Sequence, residues 1–355
     1  MQFQESGRLV VEGYITGNDS LDFRLGRTVA LAADSAFRPE RGALVTILCK
    51  GGASYGPGRE VEPGLYRIGM GALDREAEYG LEFTVGGETY RSDFRRPSYT
   101  PPIDSLHWEK PASGAPVEIS ISTHDETGQA VFYWWTFEED WEFTANYFTH
   151  WFLEPETETF YYRELDSAYF CWNKDRAGKV LIATTGKLAE NRIVNHPLHT
   201  LACTDIKLSY LYAISVSQRG LSREGYDYLL NKQKMNEGMG GLFAPQPSEL
   251  KGNIQCVSRP DIPVVGFIEV GMVNRTRFFI DGQDVYEYPP ARKCTEYSEE
   301  IGSDIGYGDL YRRGYRPFIL PEGGLIPKFW VESRCLDCTH TGTKNKPAFW
   351  PNDDL

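Results

Sequence analysis

Phe132-Tyr133-Trp134-Trp135-Thr136-Phe137-Glu138-Glu139-Asp140-Trp141-Glu142-Phe143 is the densest aromatic stretch of the chain, and its reading decides the fold. On an extended backbone successive side chains alternate, so Tyr133, Trp135 and Phe137 share one face while Phe132 and Trp134 share the other. Two arrangements fit such a strand. Either both faces are buried between sheet layers, the expected case, or the rings form a carbohydrate-binding platform facing solvent beside Glu138, Glu139 and Asp140. Trp135 and Trp141 are the candidate binding residues of the platform. The acidic run that follows reads as a single turn, either a solvated loop or an oxygen-rich cluster of the kind that holds calcium. Catalysis by carboxylates near Asp140, or by His196 and His199, is the rival use, because a glycosidase needs two carboxyls facing each other across a cleft.

Outward from that stretch the strand signals continue. Leu9-Val10-Val11-Glu12-Gly13-Tyr14-Ile15 and Ala43 to Leu48 are rich in β-branched residues. Gly64 to Ile68, Tyr79 to Val85 and Val117 to Ser122 alternate apolar and polar residues, the period of a half-buried strand. Gly86-Gly87 marks a hairpin, since paired glycines accept the positive φ of a tight primed turn. His124 to Gly128 reads as a turn, and Val180 to Thr184, Leu208 to Val216, Val264 to Val270 and Arg277 to Ile280 as further strands. The strongest helix signal starts after Leu221, with Ser222 as N-cap, Tyr226, Leu229 and Leu230 on one face, and Gly238 beyond its end. Pro97-Ser98-Tyr99-Thr100-Pro101-Pro102 is the best boundary, because proline holds the backbone extended and removes ladder donors. The expectation is a predominantly all-β chain. An N-terminal immunoglobulin-like or prealbumin-like β-sandwich spans residues 1–100. A second, fibronectin-like β-sandwich spans 101–355, with one inserted helix near 222–236 and a loop-rich tail.

The chain has 355 residues, 41% apolar and 25% charged, with a formal net charge of -13. That field repels polyanions and argues against nucleic acid as a partner. No stretch approaches the roughly 18 apolar residues of a membrane-spanning helix. Six scattered histidines give no zincin spacing, and the nucleophile elbow, the Walker loop and a post-strand dinucleotide fingerprint are lacking. No catalytic residue, cofactor or metal is therefore expected. Seven cysteines, at 49, 171, 203, 256, 294, 335 and 338, leave at least one thiol outside any intrachain pairing. Cys335-Leu336-Asp337-Cys338 followed by His340 has the local look of a zinc knuckle or redox pair, but structural disulfides are the expected use. Cys294 would pair with Cys335 or Cys338 to pin the tail, and Cys171 with Cys203 could form a second bridge.

Several of these stretches, in order, resemble a family of Bacteroidota outer-membrane lipoproteins catalogued as domain of unknown function 4249. They include Leu9 to Ile15, Pro101 to Ser105, Tyr133 to Glu142, Leu221 to Tyr228, Gly241 to Pro247 and Cys335 to Pro351. The resemblance implies a non-enzymatic, surface-exposed accessory protein, associated with nutrient uptake through a TonB-dependent outer-membrane receptor as partner. It also implies outer-membrane localisation through a lipid anchor. Met1 to Gly7 shows neither a signal peptide nor a lipidated cysteine, so attachment is implied by the resemblance alone. On this reading residues Gly241 to Asn253 would pack across the second sandwich as a clasp. Leu242, Phe243 and Ile254 would be its anchors, and Phe243 joins Trp135 and Trp141 as a candidate binding residue. A glycan- or peptide-active hydrolase using the carboxylates near Asp140 is the alternative.

Overall fold

The computed structural model describes residues 7–29, 37–162, 168–176, 178–238, 252–288, 294, 296–298, 306–319 and 329–351. The fold is mostly β, as the alternating patterns require. The aromatic stretch lies inside one long strand, Phe132–Thr144. It pairs on one side with Leu211–Gly220, which in turn pairs with Val273–Asp281. On its other side lie Phe170–Arg176 and Leu181–Thr184. Glu138 to Glu142 therefore do not form the expected turn. Their backbone is paired on both sides, and strand geometry sends Glu139 to the opposite face from Glu138, Asp140 and Glu142. A three-stranded sheet of Ile103–Glu109, Val117–His124 and Arg192–Leu201 adds side chains to the same core. Val117, Ile119 and Ile121 from one sheet meet Tyr133, Trp135 and Ile214 from the other.

A separate core fills the N-terminal part. Its six-stranded sheet includes Leu9–Glu12, Asp19–Thr28 and Leu65–Met70, and its five-stranded sheet includes Leu44–Cys49, Tyr79–Val85 and Glu88–Ser92. Phe23, Leu25, Val45, Ile47, Leu81 and Phe83 from the two sheets pack together. Gly86 and Gly87 both carry positive φ, +59° and +82°, as the hairpin between the last two strands demands. The boundary at residue 100 needs a correction. Ile254–Cys256 pairs with Glu88–Ser92, and Val264–Gly266 runs parallel to Leu9–Glu12. Residues 254–270 thus complete the first core, although the chain enters the second core 150 residues earlier. Ile254, expected as an anchor across the second core, is buried in the first. Leu242 and Phe243 lie outside the described residues.

The predicted helix forms at Arg223–Gly238, and its cap is as expected: Ser222 Oγ accepts from Gly225 N at 3.1 Å. Glu269 is buried beside that cap, where its Oε2 accepts from Ser222 Oγ at 2.7 Å and Ser222 N at 3.2 Å. Glycine suits position 225, because a Cβ there would stand 2.0 Å from Glu269 Oε2 and would force that carboxylate to shift. The proline segment also behaves as read. Its ladder-free carbonyls are satisfied by side chains, with Gln218 donating to Pro101 O at 2.8 Å and Asn274 to Thr100 O at 2.8 Å.

The tail holds more regular structure than expected. Tyr307–Arg312 is helical, and Tyr315–Ile319 pairs with Phe329–Glu332, which also pairs with Glu296–Ser298. Two disulfides bind it, Cys171–Cys338 and Cys294–Cys335, with sequence separations of 167 and 41 residues. The pairing of Cys294 with Cys335 realises one of the two expected options. The Cys171–Cys203 bridge does not form: Cys338 takes Cys171, and Cys203 is a buried free thiol. Cys49 and Cys256 are also free. Peptide mapping under non-reducing conditions is expected to recover 171–338 and 294–335 as linked peptides, with Cys203 alkylated only after unfolding. A linked 171–203 peptide would contradict the structure. Joint replacement of Cys171 and Cys338 by serine should cost about 2–5 kcal/mol in denaturant unfolding.

Candidate functional site

The inward face of Phe132–Thr144 must bury polar groups without leaving them unpaired. Trp135 is fully buried, and its Nε1 donates to Gln218 Oε1 at 2.8 Å. Glu139 is only 3% exposed. Its Oε1 lies 2.9 Å from the Tyr212 hydroxyl and 3.1 Å from His199 Nε2, while Oε2 accepts from Lys207 Nζ at 2.9 Å. Burial alone would raise this carboxyl, but the hydrogen bonds and charges of His199 and Lys207 outweigh it and hold the group at about 2. Burial, and then the Glu139 charge, push the Tyr212 hydroxyl upward, so it stays a donor. Lys207 also sits 4.9 Å from the centroid of the Trp141 ring. Every oxygen of Glu139 has a partner, which makes it a structural anchor rather than a reactive acid.

The outward face is covered at both ends by different parts of the chain. At one end Trp134 pairs across strands with Arg219, whose guanidinium lies 4.8 Å from the Trp134 ring and 5.2 Å from Tyr14 of the first core. Between Trp134, Tyr14, the helix and Phe267 is a cavity of about 220 Å³ with Glu269 in its wall. At the other end four neighbouring strands place Trp172, Glu142, Leu211 and Asp281 in one cross-strand row. Directly paired residues point to the same side of a sheet, so this row is a continuous floor.

The tail covers that floor. Cys338 is fixed to Cys171, next to Trp172, and Trp172 and Thr343 exchange backbone hydrogen bonds of 2.8 Å. The chain then runs to Trp350, whose Nε1 donates to Glu142 Oε2 at 3.0 Å and whose ring packs on Phe279 at 5.8 Å. The result is a cleft of about 580 Å³. Five rings line it, from Phe170, Trp172, Tyr210, Tyr288 and Trp350, beside the carboxylates of Glu142 and Asp281. That volume lies in the usual range for small-molecule sites, roughly 300–1,000 Å³. Two polar atoms of its wall residues, Trp172 Nε1 and Ser209 Oγ, are withheld from solvent and have no partner among the described residues.

The expected binding residues fall elsewhere. Trp135 and Trp141 are 0% and 7% exposed and belong to the core, so they present no platform to solvent; burial is one-sided, because Phe132, Trp134 and Asp140 on the opposite face are only half-buried and Glu138 is exposed. Phe243 lies outside the described residues. Of the acids proposed for hydrolysis, Asp140 is raised by burial and then by Glu138, yet it is not part of the cleft wall. His199 meets Glu139, whereas the His196 ring lies tilted against Trp135 with centroids 5.0 Å apart and is lowered by burial. Trp172, Tyr210, Asp281 and Tyr288 carried no motif in the sequence. A signal was available for Trp350, which lies in the apolar run Pro347-Ala348-Phe349-Trp350-Pro351, whose rings call for a surface to cover them.

Fold and site define a β-rich protein with a tail-roofed aromatic cleft. Residues 2–277 match the model of a family described as Domain of unknown function (DUF4249), and the chain belongs to that family. The matched span stops before Asp281 and the tail that roofs the cleft. Comparison with curated proteins returns no match. Among solved structures the chain is similar to the adhesin InvE of Yersinia pseudotuberculosis, at 13% identity over 59% of this chain and 55% of that one. The chain thus spans little more than half of that structure, and a TM-score of 0.18 carries no argument about fold or function.

The depressed carboxyl of Glu139 makes stability depend on acid. A group at about 4.5 unfolded and about 2 folded contributes its full share above pH 4.5 and loses it as pH falls through 2. That share is on the order of 3 kcal/mol. Glu139→Gln should lower stability at pH 7 by a similar amount and flatten its fall between pH 4.5 and 2 in urea melts. An unchanged acid limb would show that this carboxyl is not the titrating group.

Proposed function

We propose that this protein is a non-enzymatic, surface-exposed accessory protein that binds a small nutrient ligand beside a TonB-dependent receptor of the outer membrane. The observation that carries the binding part is the cleft at Trp172 and Trp350, where aromatic faces and carboxylates line one open concave volume. Two disulfides support placement outside the reducing cytosol, because such bridges persist in the periplasm and at cell surfaces. The receptor, the lipid anchor and the Bacteroidota source follow from the resemblance described above. No helix among the described residues is long and apolar enough to cross a membrane, which leaves strand-based spanning untouched.

The alternative is a glycan- or peptide-active hydrolase. One observation favours it: Glu142 and Asp281 point to the same side of the sheet, two strand spacings or about 10 Å apart. Both acids already hold structural bonds, Glu142 to Trp350 and Asp281 Oδ1 to Gln283 N at 2.9 Å, which favours binding over turnover.

Affinity purification of the full chain from native outer membranes is expected to recover a β-barrel receptor with a plug domain. Recovery of no such receptor across repeated preparations would remove the accessory role. Release of new reducing ends or amino termini from glycans or peptides, abolished by Glu142→Gln, would replace binding with hydrolysis.

A further inference from the structure

We propose that the cleft between Trp172 and Trp350 is a binding site for a neutral carbohydrate, taken as pyranose units of an oligosaccharide. This rests on the binding role proposed above and names the ligand class of that same site.

The wall chemistry selects this class step by step. Phe170, Trp172, Tyr210, Tyr288 and Trp350 present flat apolar faces, and two of them are open to solvent, Tyr210 at 50% and Tyr288 at 77% exposure. Large exposed rings at a concave surface are costly in water and signal a ligand that covers them. A pyranose ring offers a matching face of C–H groups, while its rim carries hydroxyls. Among those rings stand groups that only a polar rim could meet: the acceptors Glu142 and Asp281, and Ser209 and Gln283, which can both donate and accept.

Charge narrows the choice. No Lys or Arg is among the described residues lining the cleft, two carboxylates are, and the chain carries -13 overall. Uronic, sialic or sulfated sugars would meet two carboxylates and the net charge of the chain, with Lys344 already held on the Phe170 carbonyl. A purely apolar ligand would strand both carboxylates without water. A quaternary ammonium ion would suit the rings and acids, but it cannot accept a hydrogen bond. The unpartnered Trp172 Nε1 needs an acceptor, and the unpartnered Ser209 Oγ takes either role. A sugar hydroxyl accepts from one neighbour while donating to a carboxylate.

The roof makes the site depend on the tail. The Cys171–Cys338 bridge, the Trp172–Thr343 backbone pair and the Trp350–Glu142 hydrogen bond together hold the tail over the floor.

The test is calorimetric titration of the full oxidised chain. The probes are maltohexaose, cellohexaose, mannohexaose, xylohexaose and chitohexaose, with oligogalacturonate and choline as charged comparators. At least one neutral hexasaccharide is expected to bind. Tyr288→Ala and Trp172→Ala should each weaken it about tenfold or more, the scale of one lost ring contact of about 1.4 kcal/mol. Tyr288 is so exposed that its variant keeps the fold even if Trp172→Ala does not. Leu44→Ala, at an exposed position on a strand of the first core, should leave affinity unchanged. Binding of choline or oligogalacturonate in place of the neutral sugars would overturn the proposal. Failure of all five neutral probes, or affinity indifferent to Tyr288→Ala, would do the same. The receptor pull-down separates the two claims. A receptor recovered with no sugar bound removes only the ligand class, whereas sugar bound with no receptor recovered removes only the transporter association.

Discussion

A carboxylate placed on a strand that is paired on both sides must find hydrogen-bond donors or be expelled, and this constraint organises the second half of the molecule. Phe132–Thr144 has partners along both edges, so its side chains have only two directions to go. Glu139 points inward and collects Tyr212, His199 and Lys207 from three different segments. Glu142 points outward and collects Trp350 from the far end of the chain. Desolvating an acid costs several kcal/mol unless such donors are delivered, which fixes where those segments can lie. The inward set locks the two sheets of the core together. The outward set brings the tail over the floor and creates the cleft.

Long-range covalent bonds make that delivery feasible. Most of residues 339–349 are exposed or half-buried, and a segment of that kind loses conformational entropy on ordering that its few buried side chains, chiefly Cys338 and Trp350, must offset. Tethering Cys338 to Cys171 places it beside its binding surface before any weak contact forms. The Trp172–Thr343 backbone pair, and the packing of Gly342 where a Cβ would stand 2.7 Å from the Phe143 ring, then fix its path. Cys294–Cys335 does the same for the smaller core around Phe318 and Val331. Tail, bridge and cleft form one unit.

The two cores are joined by comparable means. The chain leaves the first core at the proline segment, builds most of the second, and returns through 254–270 to complete the first. Neither core is made of one continuous stretch. At the junction Arg219 lies between Trp134 of the second core and Tyr14 of the first, and Glu269 holds the cap of the helix. The Glu269 carboxyl is raised by burial, with Ser222 and Arg95 drawing it back down. Buried charge at a junction of this kind favours one relative placement, because any slip strands an ion without its partners.

Local chemistry was legible in the residues. Alternation fixed the strands Tyr79–Val85 and Val117–His124, Ser222 announced its helix, and the double glycine its hairpin, since each depends on neighbours a few positions away. Asp125 accepting from Thr127 N at 2.9 Å and Ala130 N at 2.7 Å closes the turn read at 124–128 for the same reason. The acidic run was misread because charge density normally marks a loop. Nothing local shows that Tyr212, Lys207 and Trp350 will arrive to satisfy it. The cleft was hidden more deeply, as Trp172, Glu142, Leu211 and Asp281 lie on four strands that span more than a hundred residues and become a row only through register. The cysteines supplied a list of bridges to choose from, and the fold chose among them. Periodicity is a property of adjacent residues and can be read from them, whereas register, pairing of thiols and burial of acids are set by contacts between distant segments and exist only once the chain has closed on itself.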